Sequence, residues 1–332
     1  MLRMADFQYV HARSYTEAAD LWGPDSAYVA GGTDLLPNLK HRIVGPRRVI
    51  GIGGLRGEVL REGDSWVIGA GMRMAALARH PEISAFFPAL AEAAGLVAGP
   101  QIRAMATLGG NVLLDTRCFY YNQTEFWRKS LGYCLKAEGD WCHVVGGPKT
   151  CVAAQSSDTV PTLLAYDARL RLQGREGTRE LSIRELFRFN GMDHLKLAPG
   201  ELLVAVVLPT PAPGTRATYL KLRSRGSIDF PQLGVAVVAV LPAGDSWLER
   251  LEIVIGAANP QPKGVRGLEA FCHRALGEAE IAGIGELVFA QTRPQASISG
   301  GVGWRRQMAR VYTERALRAL LVPTQAELRA SR

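Results

Sequence analysis

Two features of this 332-residue chain carry potential chemistry: a pair of Gly-Gly loops and four closely placed cysteines. Ala30-Gly31-Gly32-Thr33-Asp34-Leu35 follows a short β-type run, and Ala106-Thr107-Leu108-Gly109-Gly110-Asn111 repeats its combination of hydroxyl, paired glycines and polar end. Consecutive backbone N–H groups in such loops form a concavity for an anion. Glycine contributes twice, by permitting positive φ and by letting a bulky phosphate approach the backbone. Thr33 offers a hydroxyl donor, and Asp34 either accepts from a ribose or orders the turn. One loop alone reads equally well as a tight turn. A pair suits a dinucleotide, whose diphosphate, sugars and ring systems need several contacts.

Two other glycine segments do not fit nucleotide motifs. In Gly51-Ile52-Gly53-Gly54-Leu55-Arg56-Gly57 the last glycine comes one residue too late for G-x-G-x-x-G, and no clear helix follows, so a Rossmann site is not expected. Gly146-Gly147-Pro148-Lys149-Thr150 resembles the end of a P-loop, but proline separates glycine from lysine and the preceding glycine is missing. Nor is there a serine–histidine–acid set or a zincin motif, so no catalytic residue is assigned.

Cys118, Cys134, Cys142 and Cys151 lie in one irregular stretch, and Cys272 stands apart in a later helical pattern. In a cytoplasmic chain, clustered thiols favour metal over disulfide. The spacing C-x15-C-x7-C-x8-C lacks the paired C-x-x-C knuckles of zinc ribbons. Iron–sulfur is therefore favoured over zinc, and over unligated or redox-sensing thiols, because well-separated thiolates can each reach one corner of a cubane. His143, beside Cys142, reads as a loop histidine or as a donor behind the ligands. Cys272 reads as core packing.

The elements that position these groups are mixed α and β. β-rich runs at 27–30, 47–52 and 66–69 end in glycine turns, and helical patterns follow at 74–79 and 89–97. After Asn111 regular patterning stops. The aromatic stretch from Leu114 to about Gln155 is too rich in Phe, Tyr and Trp to be a solvated linker. Signals resume at 160–165, 169–173, 183–187 and 202–208, until Pro209, Pro211, Pro213 and Gly214 mark a boundary. Beyond it come strands near 219–222, 233–241 and 248–255, then helical patterns at 265–276, 281–290 and 304–320, the signature of a small α+β unit.

Lys and Arg exceed Asp and Glu by a net charge of +8, which admits an anionic ligand, an acidic partner or nucleic acid. Arg305, Arg306, Arg310, Arg315 and Arg318 gather on an amphipathic pattern opposite Met308, Val311, Leu317 and Leu320, and read as a solvated or subunit-facing helix face. No RNP aromatics, zinc-finger spacing or KH loop accompany the charge, so nucleic-acid binding is not expected. The first 22 residues lack a signal-peptide h-region, and the apolar run 233–241 is far short of the ~20 residues that span a bilayer. A cytoplasmic, non-membrane protein is expected.

The paired loops resemble the two FAD-binding loops of the flavoprotein subunits in the xanthine dehydrogenase and carbon monoxide dehydrogenase family of molybdenum hydroxylases, and the resemblance covers nearly the whole chain. Ser157-Asp158-Thr159-Val160-Pro161 resembles that family's Ser-Asp segment near the flavin sugar chain. Lys221-Leu222-Arg223-Ser224-Arg225 with Asp229 resembles its basic segment beside the isoalloxazine. Most members reach the Ser-Asp segment within a few residues of the second loop, and here a cysteine-bearing insertion intervenes. Asp115-Thr116-Arg117-Cys118, Tyr121-Asn122-Gln123, Gly132-Tyr133-Cys134-Leu135-Lys136 and Cys142-His143-Val144 make that insertion similar to the [4Fe-4S] loop of 4-hydroxybenzoyl-CoA reductase β subunits.

The resemblance implies an α+β chain: residues 1–210 as a two-lobed FAD-binding domain of the vanillyl-alcohol-oxidase (PCMH) type, with the iron–sulfur loop inserted at about 112–156, and 215–325 as a small C-terminal domain with an antiparallel sheet and helices. It implies FAD contacts from both glycine loops, Asp158 and Lys221, and cluster ligation by the four cysteines. It further implies an electron-transfer subunit working with a large molybdenum-cofactor subunit and a small [2Fe-2S] subunit, as a dimer of heterotrimers. Electrons would come from ferredoxin and end in reductive dehydroxylation of 4-hydroxybenzoyl-CoA to benzoyl-CoA. Alternatives are the equivalent subunit of a hydroxylase for an aromatic N-heterocycle or another acyl-CoA, and a basic FAD-dependent sensor that binds nucleic acid.

Overall fold

A computed structural model of the chain describes residues 2–242 and 246–322. Met1 and positions 323–325 of the expected C-terminal domain lie outside them. Strands β1 (Gln8–His11), β2 (Ser26–Val29) and β3 (Arg48–Gly51) make a parallel sheet in the order β1-β3-β2. Strands β4 (Val59–Glu62), β5 (Ser65–Gly69), β6 (Arg169–Gly174), β7 (Gly177–Ser182) and β8 (Leu202–Pro209) form an antiparallel sheet in the order β4-β5-β8-β6-β7. Short helices fill the segment after β5. Pro81–Phe86, Pro88–Leu96 and Pro100–Met105 each start on proline, whose fixed φ suits a first helical turn that needs no N–H partner.

The third sheet is antiparallel, with β9 (Thr215–Leu222), β10 (Leu233–Val240), β12 (Arg250–Gly256) and β13 (Lys263–Gly264) in the order β13-β12-β10-β9. Strands β11 (Trp247–Leu248) and β14 (Arg274–Ala275) pair separately. The alternation of side chains along a strand explains the continuous apolar sequence of β10. Leu233, Val235, Val237 and Ala239 share a core with helices Glu278–Gln291 and Val302–Leu321, while Ala236 and Val238 join a second core with helices Pro88–Leu96 and Thr159–Ala165. Helices together with antiparallel sheets make the fold α+β, as the sequence predicts.

Two readings change. The helix expected at 265–276 is a short 3-10 turn, Leu268–Phe271, between strands; Gly267 at φ +83° and His273 at φ +59° stop a helix on either side. Arg305 is not on a solvated face. It is fully buried and donates from Nε to Gln232 O (2.8 Å), from Nη1 to Gln295 O (2.8 Å) and from Nη2 to Ala257 O (2.6 Å). The remaining arginines of that helix are engaged within the chain: Arg310 and Arg318 pair with glutamates, and Arg306 and Arg315 lie over Phe289 and Tyr312. Cys272 is half-buried at the core edge, with Sγ 3.6 Å from Leu268 O. No helix among the described residues is long and apolar enough to cross a membrane.

Candidate functional site

The first glycine loop leaves β2 and meets two other glycine segments backbone to backbone. A Cβ on Gly31 would lie 2.0 Å from Met105 O, and a Cβ on Gly53 would lie 2.6 Å from Ala30 O. Arg73 ties those two segments to each other, donating through Nη2 to Gly53 O (3.2 Å) and through Nη1 to Met105 O. Gly32 takes φ +71°, which favours glycine. Thus glycine at 31 serves the contact between loops, and glycine at 32 serves the turn. The segment 51–57, which fails as a nucleotide motif, is the buttress of the loop that fits one.

The second loop is the start of the helix Leu108–Val112, capped by Thr107 Oγ1, which accepts from Gly110 N–H (3.2 Å). A Cβ on Gly109 would lie 2.9 Å from Ala70 Cβ, so this loop also packs on β5's end. Asn111 Oδ1 accepts from Ser157 Oγ (2.7 Å), Thr159 Oγ1 (2.7 Å) and Thr159 N–H (3.2 Å), which leaves its amide NH2 as the group to offer a ligand. These bonds join the second loop to the Ser-Asp segment across the whole insertion.

Asp158 precedes the buried helix Thr159–Ala165, and β9 supplies its partners from alternate positions on one face. Tyr219 donates to Oδ1 (2.9 Å) and Lys221 to Oδ2 (2.9 Å), and Lys221 Nζ also reaches Leu96 O (3.0 Å) at a helix end. Gly234 makes room for the Tyr219 hydroxyl, which would stand 2.6 Å from a Cβ there. Burial dominates this group: it pushes Asp158 up to about 6 despite the Lys221 charge, lowers Lys221 and raises Tyr219. Lys221, read in sequence as a cofactor contact, does not line the cleft. It stands behind Asp158 and fixes it.

Together these pieces enclose a cleft of about 530 Å³, within the range of small-molecule sites. Its walls include Ala30, Gly31, Gly32, Thr33, Asp34 and Leu35 from the first loop, and Ala106, Thr107, Gly109, Gly110 and Asn111 from the second, with Asp158 between. Five carboxylates face it, and each has a cation: Asp34 with Arg117, Asp115 with Lys136, Asp158 with Lys221, Glu201 with Arg179, and Asp229 with Arg225. Acid side chains that would repel a diphosphate are thereby neutralised. Asp34 is committed to Arg117 and to Asn38 Nδ2 (3.2 Å), so the ribose role is set aside in favour of ordering the turn. Tyr15, Tyr28, Ile228 and Phe230 add apolar and aromatic wall that no motif in the sequence announces.

The stretch after Asn111 has one helix, Glu125–Ser130, and one 3-10 turn, Leu135–Ala137, and is otherwise built from tight turns. Cys118, Cys134, Cys142 and Cys151 are all buried and line one small internal space, together with Tyr120, Tyr121, Lys136 and His143. Gly146-Gly147 closes the turn that returns Cys142 N–H to Gly147 O (2.7 Å). His143 Nε2 lies 2.8 Å from Tyr133 O, with its ring 5.1 Å from that of Tyr120. Burial pushes the Cys118 thiol up to about 12 and also raises Cys151; a bound cation centre would supply the charge that favours thiolates. Among the described residues, no group of three or more His, Cys, Asp or Glu is placed to hold a metal ion. Of the aromatics in this stretch, Tyr120, Tyr121 and Tyr133 pack inward, whereas Phe119, Phe126 and Trp141 face out.

Arg117, which the sequence marks only as a neighbour of Cys118, links the insertion to the first glycine loop. It is mostly buried, burial lowers it to about 10, and it joins Asp34 on one side while stacking 4.5 Å from the Phe230 ring centroid on the other.

Comparison with known proteins places this geometry. Residues 5–211 match the family model of the FAD binding domain in molybdopterin dehydrogenase. The chain is 31% identical to the aldehyde oxidoreductase FAD-binding subunit PaoB of Escherichia coli K12 over 82% of this chain and 86% of that one. It is 28% identical to the carbon monoxide dehydrogenase medium chain of Afipia carboxidovorans, over 94% and 95%. Among solved structures, a carbon monoxide dehydrogenase from Hydrogenophaga pseudoflava lacking the Mo-pyranopterin moiety superposes with a TM-score of 0.77 at 26% identity, covering 96% of this chain and 98% of that one. The cleft between two glycine loops, the α+β fold and these matches agree, and the chain belongs to the family of FAD-binding medium subunits of the xanthine dehydrogenase and carbon monoxide dehydrogenase type, the flavoprotein components of molybdenum hydroxylases.

Proposed function

We propose that this chain holds FAD in the cleft and a [4Fe-4S] cluster on Cys118, Cys134, Cys142 and Cys151, and that it is the electron-transfer subunit of a 4-hydroxybenzoyl-CoA reductase. One observation carries the reading: four buried thiols share a small space whose wall is tied to that of the flavin cleft by the Lys136–Asp115 ion pair. Four thiols at C-x15-C-x7-C-x8-C, without the paired C-x-x-C knuckles of a zinc ribbon, suit the corners of a cluster better than a zinc site. FAD, when bound, exchanges electrons singly or in pairs, which suits a relay between one-electron centres.

The chain's own part is to bind, orient and insulate. Backbone N–H groups of the first glycine loop and the Asn111 amide take the diphosphate and sugar, while the second loop, whose N–H groups at 108–111 are donated within the chain, supplies the close-packed wall; Asp158 is held in place by Tyr219 and Lys221, and the paired carboxylates keep the cleft from repelling an anion. Substrate chemistry belongs to a large molybdenum-cofactor subunit, with a small [2Fe-2S] subunit between and ferredoxin as donor, in a dimer of heterotrimers. Residues 1–210 form the FAD-binding domain, the cysteine loop is its insertion, and 215–325 is the C-terminal domain. A second reading has a specific observation behind it: 31% identity to an aldehyde oxidoreductase subunit makes aldehyde oxidation the competing reaction of the holoenzyme.

Co-purification with a molybdenum-containing subunit, metal analysis and turnover test these points. Flavin with about four irons and acid-labile sulfide per chain is expected; zinc without iron sinks the cluster assignment. Dehydroxylation of 4-hydroxybenzoyl-CoA by the complex supports the reductase, and turnover of aldehydes alone replaces it with the second reading.

A further inference from the structure

One ion pair joins the wall of the cysteine space to the wall of the flavin cleft, and a second starts from the residue next to Cys118 and ends on the cleft wall. Lys136, two residues after Cys134, faces the thiols; its Nζ lies 2.6 Å from Asp115 Oδ1, and Asp115 faces the cleft. Lys136 also donates to Thr116 Oγ1 (2.7 Å) and lies 4.5 Å from the Tyr121 ring centroid. The second pair starts from Arg117. Its backbone exchanges two hydrogen bonds with Ala154, N–H to O at 2.7 Å and O from N–H at 2.8 Å. It is therefore pinned between Cys118, its neighbour, and Cys151, three residues before Ala154. From there its guanidinium reaches Asp34 of the first glycine loop and Phe230 at the cleft.

We propose that the two sites are thermodynamically coupled: filling the four-cysteine site raises the affinity of the cleft for FAD, with Arg117 and Lys136 as the positioning residues, and bound FAD in turn stabilises the filled site. The inference rests on the cofactor assignment above and goes beyond it. The loop that carries the thiols has little regular secondary structure and a small core of its own, so ligation at four points orders it at the expense of chain entropy. Ordering sets Arg117 and Lys136 against Asp34 and Asp115. An unfilled loop releases both cations and leaves two carboxylates without their counter-charges facing a diphosphate, which weakens its binding. Reciprocity follows because a coupling free energy belongs to both ligands at once.

The full chain, purified with its iron and sulfide measured, is freed of flavin and titrated with FAD by flavin fluorescence, before and after removal of iron by a chelator. The loaded protein is expected to bind FAD at least about 5-fold more tightly than the stripped protein, the lower end of typical couplings. In the Arg117→Met, Lys136→Met double variant the two states should bind alike, and Arg117→Lys alone should keep part of the difference. A readout that needs no variant is the rate of iron loss to chelator, expected to slow when FAD is present. Equal affinity of loaded and stripped wild type overturns the coupling, and an undiminished ratio in the double variant overturns the route through Arg117 and Lys136. A preparation without iron and sulfide overturns the cofactor assignment itself, a result distinct from both.

Discussion

Replacing Gly31 by alanine tests whether the cleft depends on contact between the two loops. The new Cβ would lie 2.0 Å from Met105 O and 2.6 Å from Met105 C, where real Cβ contacts essentially never fall below 3.0 Å. Something must therefore move by about 1 Å in an interior that compresses poorly. The obstacle is backbone, and its carbonyl is held by Arg73, so no side chain can swing away. Overpacking of this kind costs about 1–3 kcal/mol. If the displaced loop also loses one or two hydrogen bonds to a charged diphosphate, each worth about 1.5 kcal/mol or more, FAD affinity falls roughly 10- to 100-fold. Gly45→Ala, where nothing lies within 4 Å, is the control and should bind within about 2-fold of wild type. The assay is FAD titration of the flavin-free protein together with its Tm. A Gly31→Ala protein with wild-type Tm and affinity would refute the reasoning, because the loops would then not be in obligatory contact.

Further outcomes follow from other sites. A Cβ at Gly191 would stand 2.8 Å from Cys151 Sγ, so Gly191→Ala should lower iron content, whereas Gly147→Ala, in open space, should leave it unchanged by metal analysis. Burial holds Asp158 at about 6 in the folded chain against 3.8 for an ordinary carboxyl, so the folded state binds more protons between those values. Its contribution to stability therefore falls as pH rises from about 4 to about 6, and the Tm difference between wild type and Asp158→Asn should shift against the wild type over that window. Arg305→Lys cannot satisfy three carbonyls with the fork that reaches Gln232, Gln295 and Ala257, and should cost about 2–3 kcal/mol in denaturant unfolding.

Features legible in the sequence are those that local pattern determines. The apolar run of β10, the proline-marked end of β8 and the paired glycines all appear where composition places them, because period, turn chemistry and backbone freedom act over a few residues. What was hidden depends on distant partners. Nothing near Gly31 announces the Met105 carbonyl, and nothing near Arg117 announces Asp34 or Phe230. The spacing of Lys221 from Tyr219 on one strand face points to a shared partner and not to which partner that is. Arg305 misled for a similar reason: helical spacing puts it among arginines, while three carbonyls from elsewhere make it a buried donor. At 265–276 a helical apolar spacing was overruled by two residues with positive φ.

The two-faced burial of β10 has a consequence for how this protein can be taken apart or inherited. A cut in the proline-rich link after β8 would divide the sequence neatly, yet it would strip the sheet surface of Ala217, Tyr219, Ala236, Val238 and Val254 from the helices beneath it. It would also remove both partners of Asp158. The flavin cleft is therefore not a portable module: its two halves must be inherited and expressed together, and the segments should melt as one cooperative unit in calorimetry.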